Sequence, residues 1–226
     1  MKLLYHPIST VCRPVMQLCK DYDVDCEMVL VDLMTGEHMQ APYASLNPNC
    51  LVPTLEDDDL ILTESSAILK YIADKHGLPV YSHDLKQRAK VNEIMDWFNV
   101  NFYRDYGYHL IYPQLFPHHR REPELANEVT IVWGRDKSIK WLTILNDYYL
   151  GDGRNYLCGN EITIADYFGS GIISLGDAIS VNLSGFTNIK KWMDGLRRRP
   201  SWKEVYEIFD GYCASLRDKE FVTIAG

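Results

Sequence analysis

Apolar residues change their period along the chain, from short, nearly continuous runs in the first third to long stretches at helical spacing afterwards. Lys2 to His6 reads as a strand, apolar around Tyr5 and ended by the turn signal Pro7. A helix is expected from Ser9 or Thr10 to about Tyr22, because either hydroxyl can cap a first turn and Pro14 is tolerated near a helix start. Cys26 to Leu33 carries Met28, Val29, Leu30 and Val31 without a polar break, the pattern of a strand buried on both faces. Strand, helix and strand in that order imply a parallel pair. After an irregular stretch from Gly36 to Leu46, the segments Val52 to Glu56 and Leu60 to Thr63 flank Asp57, Asp58 and Asp59 and read as a hairpin. Thr63 is then the expected cap of a helix over Glu64 to Lys75, with Ala67, Ile68, Tyr71 and Ile72 on its buried face and Gly77 and Pro79 beyond its end.

From Leu85 onward the period is helical, over Leu85 to about Leu110, Glu122 to Leu150, Ile164 to Ile179, Ile189 to Arg198 and Trp202 to Leu216. The expected organisation is an α/β thioredoxin-like N-terminal domain at residues 1–76, a Gly, Pro and Ser linker at 77–84, and an all-α helical C-terminal domain at 85–226 ending in a tail. Inside the second domain, Thr163 to Asp166 precedes an apolar run and reads as a capping box, a structural role for Asp166.

Composition narrows the function classes. The 226 residues are 46% hydrophobic and 24% charged, a globular profile large enough for two modest domains. A net charge of -8 repels phosphate backbones and anionic headgroups, so nucleic acid is not an expected partner. No apolar run approaches the roughly 18 residues of a membrane span, and the first residues lack the apolar core of a signal peptide. No membrane association and a cytoplasmic location are therefore expected. Cysteines 12, 19, 26, 50, 158 and 213 form no Cys-x-x-Cys pair and no metal-ligand spacing with the histidines, although His118 and His119 are adjacent. Reduced thiols and no metal site are expected.

Four motifs then carry a resemblance. They are Leu4-Tyr5 followed by Ser9-Thr-Val-Cys12-Arg13; Asn47-Pro48-Asn49-Cys50-Leu51-Val52-Pro53; Thr63-Glu64-Ser65 with Ala67-Ile68; and Leu157-Cys158-Gly159 leading to Thr163-Ile-Ala-Asp166. In this order and spacing, over almost the whole chain, they resemble the cytosolic glutathione transferases. The Ser-x-x-Cys-Arg pattern is most similar to theta-like and related bacterial members.

The resemblance implies a homodimeric transferase with glutathione as co-substrate and no metal. It activates the glutathione thiol as thiolate for attack on a small hydrophobic electrophile, by conjugation, dehalogenation or peroxide reduction. Ser9 is the implied thiolate donor and Thr10 its competitor, at a turn where a hydroxyl and a helix N-terminus converge on a place suited to an anion. Val52-Pro53 looks like the family's cis-proline turn, which pairs with the backbone of an extended tripeptide. Ser65 and Glu64 take the γ-glutamyl carboxylate and amino group, and His38 resembles the residue that reaches the glycine end. Cys50 stands beside the position where relatives often carry Lys or His, which leaves glycyl recognition to His38 or to the partner chain. The electrophile pocket is placed between the domains, with Tyr103 and Tyr106 of the aromatic run as its polar handles. Arg104 and Asp105 face this cleft or a partner's glutathione.

Two alternatives stay open: a glutathione-binding scaffold without turnover, and a thiol-disulfide oxidoreductase using Cys12. In Ser9-x-x-Cys12 the attacking thiol of a thioredoxin motif is replaced by serine, so Cys12 is expected to be packed under the helix. The tail with Phe221, Val222, Thr223 and Ile224 is too apolar for a free terminus, and either covers the cleft or straps the helical domain.

Overall fold

A computed structural model describes residues 1–225; Gly226, the last residue of the expected tail, lies outside the described residues. The chain begins with β1 (Lys2–Tyr5), α1 (Cys12–Asp21), β2 (Glu27–Leu30), α2 (Ala41–Leu46), β3 (Thr54–Asp57), β4 (Leu60–Leu62) and α3 (Ser65–Lys75). The sheet order is β2-β1-β3-β4, with β1 parallel to β2 and antiparallel to β3, the thioredoxin-like arrangement. Alternation along β1 sets its two faces. Leu3 joins Val15, Leu18, Leu55, Ile68 and Ile72 in the main core, whereas Leu4 joins Cys12, Val31, Tyr43 and Val52 in a smaller cluster.

Three local expectations are corrected. The second strand is short and lies at the sheet edge with one neighbour, so Met28 and Leu30 remain 39% and 55% exposed rather than buried on both faces. Helix α1 starts at Cys12 with Val11 as N-cap and no capping side chain, which leaves Ser9 and Thr10 in the turn before it. Helix α3 starts at Ser65 after Glu64 rather than under a Thr63 cap. Glu64 has φ 66°, a left-handed conformation that a non-glycine residue adopts only when the surrounding chain imposes it.

The helical domain opens with α4 (Leu85–Trp97), capped by the Asp84 carboxylate on the amides of Lys86 and Gln87. It continues through widened π-helical turns, Phe98–Phe102 and Arg104–Ile111, into α5 (Tyr112–Leu115). The widening carries the aromatic run past the expected end at Leu110. Then follow α6 (Glu124–Ile144), α7 (Ile164–Ser174), α8 (Thr187–Arg197) and α9 (Pro200–Ser215). Every residue of α7 is buried, the property of a helix enclosed on all sides.

Helix α7 also joins the domains. It packs on α1, where a Cβ at Gly171 would collide with the Pro14 ring. Tyr167 donates to Asp21 at 2.6 Å, and Arg199 donates to the same carboxylate at 2.7 Å. Arg13 is fully buried across the junction: it donates to the Ile8 carbonyl at 2.6 Å and to Ser174 Oγ at 3.3 Å, and its guanidinium lies 3.7 Å from the Phe209 ring centre. The segment between α3 and α4 is likewise packed, with Val80 and Tyr81 buried and the Ile164 amide bonded to the Val80 carbonyl.

The capping box at α7 is present, and Asp166 does more than cap. Its Oδ2 accepts from the Thr163 amide at 2.8 Å and the Thr163 hydroxyl at 3.0 Å, while Oδ1 accepts from the Leu157 amide and from Trp192 Nε1, both at 2.9 Å. One fully buried carboxylate thus ties the Leu157 loop, the α7 start and α8 together.

The tail straps the helical domain. Ile224 is 1% exposed, its carbonyl accepts from the Asn182 amide at 3.0 Å, and the Val222 backbone exchanges two hydrogen bonds with the Gln114 side chain. Truncation after Leu216 removes this burial and is expected to lower stability by about 2–3 kcal/mol and the melting temperature by roughly 5–10 °C. Turnover per folded molecule is expected to stay constant; altered turnover at unchanged melting temperature would instead identify a lid.

Candidate active site

A cavity of 430 Å³ lies between the two domains. On the thioredoxin-like side it is lined by His6, Ser9, Thr10, His38, Cys50, Val52, Pro53, Glu64 and Ser65, residues far apart in the chain that the fold brings together. The opposite wall is Tyr103, Tyr108, Tyr112, Leu115, Phe116, His118 and His119, and Leu175, Phe209 and Tyr212 also line the cavity.

Ser9 is half-buried in the turn between β1 and α1, a turn closed by the Ser9 amide on the His6 carbonyl at 3.0 Å. Its hydroxyl therefore stands beside the start of α1, where the helix dipole is positive, although the Arg13 amide is bonded to the Ser9 carbonyl at 3.4 Å and Pro14 has no N–H. Thr10 is engaged differently. It is 3% exposed and its hydroxyl accepts from the Tyr112 hydroxyl at 2.9 Å, and Tyr112 is bonded in turn to the Tyr103 hydroxyl. Burial pushes the Tyr112 phenol up to about 12 and Tyr103 well above its ordinary range, so both stay protonated donors at neutral pH. This chain of hydroxyls joins the Ser9 turn to the aromatic wall.

The loop that carries Val52 and Pro53 is held from beneath. Tyr43 donates its hydroxyl to the Leu51 carbonyl at 2.6 Å and pairs with Thr54 Oγ1 at 2.9 Å, and Asn47 Nδ2 donates to the same carbonyl at 2.7 Å. The Val52–Pro53 peptide is cis and both residues face the cavity. Cys50 sits at φ 54° with its thiol on the Pro48 carbonyl, and brings no positive charge to the rim. His38 follows Gly36 on a short 3₁₀ turn, and its Nδ1 is buried without a hydrogen-bond partner among the described residues. Glu64 and Ser65 open α3 toward the cavity, where unpaired helix amides favour a carboxylate.

Two expectations for the pocket are corrected. Tyr106 is fully buried away from the cavity, with its hydroxyl on the Ile173 carbonyl at 3.2 Å: the helical turn that brings Tyr103 to the cleft points Tyr106 into the core beside Gly176. Arg104 and Asp105 also miss the cleft. Asp105 is 1% exposed and accepts from Trp141 Nε1 at 2.7 Å and from Arg104 at 3.0 Å, an anchor between the aromatic helix and α6. Tyr112, Phe116, His118, His119, Phe209 and Tyr212 join the site without a motif to announce them. Only the adjacency of the two histidines after Pro117 marks any of them in the sequence.

Cys12 faces neither solvent nor cavity: it is 0% exposed, and burial pushes its thiol up to about 11 against an opposing hydrogen bond from Ser9. A thiol so placed is inert toward disulfide exchange. Among the described residues no group of three or more potential metal ligands comes together, and no helix is long and apolar enough to cross a membrane.

Comparison with known proteins agrees with this geometry. Residues 2–74 match the glutathione S-transferase N-terminal domain and residues 137–200 the C-terminal domain of the same family. A delta-class glutathione transferase of Nilaparvata lugens is 30% identical, with 96% of this chain and 98% of that chain covered at a TM-score of 0.81. Human glutathione S-transferase T1-1 is 26% identical over 97% of this chain and 91% of its own, at a TM-score of 0.81. Poplar glutathione transferase F1 is 26% identical over 93% and 98%, at 0.79. With both halves of the chain matched and the cleft between them built from the motif residues, the protein belongs to the glutathione S-transferase family, enzymes that use glutathione as co-substrate.

Proposed function

We propose that the enzyme binds glutathione along the thioredoxin-like wall of the cleft, ionises its thiol at Ser9, and directs the thiolate at a small hydrophobic electrophile held by the aromatic wall. The observation that carries this reading is the position of Ser9, on the same cavity as the cis Val52–Pro53 turn, the N-terminus of α3 and the tyrosine cluster. In this arrangement the Val52 backbone pairs with the peptide backbone of glutathione. Ser65 and the first amides of α3 hold the γ-glutamyl carboxylate while Glu64 meets the amino group. The unpartnered Nδ1 of His38 supports a role at the glycine end, where Cys50 supplies no charge.

The thiol, with an ordinary pKa of about 8.5, loses its proton to solvent and the thiolate accepts the Ser9 hydroxyl hydrogen bond beside the α1 dipole. Lowering that pKa to about 6.5 requires roughly 2.7 kcal/mol, within the sum of a charge-assisted hydrogen bond and a helix terminus. Conjugation, halide displacement and peroxide reduction all start from this thiolate. A panel of aryl halides, alkyl halides and hydroperoxides, each with and without glutathione, is expected to show glutathione-dependent turnover on at least one class; saturable glutathione binding without turnover on any would leave a scaffold.

A homodimer in the cytosol completes the proposal. Helix α6 presents Leu125, Val129, Val132 and Trp133 to solvent, an apolar face that a second copy would cover. The free cysteines fit a reducing compartment.

A further inference from the structure

The adjacent histidines of the sequence belong to none of the four family motifs, yet both line the cleft. They follow α5 on the short turn Pro117–His119. His119 is half-buried and held through its ring faces and edges: it stacks on Tyr112 with centres 5.0 Å apart, meets Tyr108 edge to face at 5.5 Å, and touches His118 at 4.4 Å. These contacts orient the ring without engaging its nitrogens, which take no hydrogen bond from the described residues. Tyr112, on which it stacks, is bonded to Thr10, the neighbour of Ser9. His119 is therefore one aromatic ring away from the turn assigned to the thiolate.

The groups around His119 are Tyr108, Tyr112, Phe116, His118 and Arg121, with no carboxylate among them. Burial, assisted by His118 and Arg121, holds its imidazole down at about 4. At neutral pH the ring is uncharged and offers one N–H donor inside a largely apolar wall. A neutral imidazole in such a place stabilises an oxyanion without becoming a charge itself.

We propose that His119 is a catalytic residue for electrophiles whose transition state gathers negative charge on oxygen, α,β-unsaturated carbonyl compounds in particular, by donating a hydrogen bond to the carbonyl oxygen. The inference rests on placing the thiolate at Ser9. Sulfur forms a bond to the β-carbon, the C=C π pair shifts toward the carbonyl carbon, and the carbonyl π pair moves onto oxygen. The resulting enolate is held by the His119 N–H. A proton from water then adds to the α-carbon and the carbonyl is restored, with no oxidant or reductant consumed. Displacement at a benzylic carbon sends the charge to the departing halide, a weaker hydrogen-bond acceptor than an enolate oxygen, and gains less from the His119 N–H.

The two reactions separate the role. His119→Phe keeps an aromatic ring against Tyr112 and removes the donor. It is expected to lower kcat/KM for trans-2-nonenal at least about tenfold more than kcat/KM for benzyl chloride, with the pKa of bound glutathione as in the wild type. His119→Gln, which restores an N–H, is expected to recover part of the loss. Equal losses on both substrates, or no loss on the enal, overturn the inference. So does a loss produced by Tyr108→Phe and not by His119→Phe, which moves the donor to Tyr108. A wild type that ionises glutathione and releases chloride from benzyl chloride but leaves the enal untouched refutes the role of His119 alone; a bound-glutathione pKa equal to that of the free thiol refutes the Ser9 placement beneath it.

Discussion

Ser9→Ala is expected to raise the pKa of enzyme-bound glutathione by about one unit or more and to slow conjugation about fivefold or more near pH 6.5. The hydroxyl is the one side-chain donor at the turn whose neighbours are otherwise occupied: Thr10 is bonded to Tyr112, and the Cys12 thiol is buried beneath. Removing it leaves the helix dipole and deletes the charge-assisted bond, and every unit by which the thiol pKa rises costs the thiolate roughly 1.4 kcal/mol of stabilisation. At pH 6.5 a thiol with a pKa of about 6.5 is half ionised, and one with a pKa of about 8 only a few per cent. The loss is therefore largest at low pH and shrinks as the pH rises past the new pKa. Folding should be preserved, because the hydroxyl caps no helix and its one core contact is with the buried Cys12 thiol. A pH–rate profile that falls uniformly, with no displacement of its acidic limb, would assign Ser9 to substrate positioning instead of ionisation.

Asp166→Ala is expected to cost stability and not chemistry, by about 3–5 kcal/mol and roughly 10–15 °C in melting temperature. The substitution leaves three buried N–H donors, from Leu157, Thr163 and Trp192, facing a cavity where four hydrogen bonds had converged. Glutathione affinity of the folded fraction should be retained, since the carboxylate lies outside the cleft. Burial raises this carboxyl to about 6 against the opposing donors. A raised folded-state pKa means that its contribution is complete below the ordinary carboxylate value of about 4 and is lost as the pH rises through about 6. The stability advantage of the wild type over Asp166→Asn should therefore narrow between these limits. Urea denaturation of both proteins across that range measures it, and a widening advantage would show that the hydrogen bonds outweigh burial.

Much of the fold is legible in the chain because its signals are local. The switch from short apolar runs to helical period separates the thioredoxin-like and helical parts, and Thr163 with Asp166 announces the start of α7. The misreadings fall where a tertiary choice overrides a local one. Met28 to Val31 looks like a central strand, but strand order, which no apolar pattern encodes, places it at the edge. Thr63 and Ser9 look like caps, but the chain turns left-handed at Glu64 and begins α1 three residues after Ser9, so neither hydroxyl is spent on a helix.

The site divides in the same way. Motif residues on the thioredoxin-like wall stand where local spacing puts them, because that wall is built from turns with their own signatures. The aromatic wall is legible only in part. Tyr103 and Tyr106 are three residues apart, and the widened helical turns between Phe98 and Ile111 decide that one lines the cleft and the other enters the core. The second half of the wall, Phe116, His118 and His119, comes after a helix end, and Phe209 and Tyr212 come from far along the chain, on α9. Asp166 shows the complement: its capping bonds are local, whereas the bond from Trp192 spans 26 residues and is visible only in the folded chain.

The central claim is ionisation of glutathione in this cleft, and ultraviolet titration of the thiolate bound to the wild-type enzyme measures it without any electrophile. A midpoint about two units below that of free glutathione, and reverted by at least about one unit in Ser9→Ala, is the expected result; a midpoint equal to that of free glutathione while the site is saturated would contradict it.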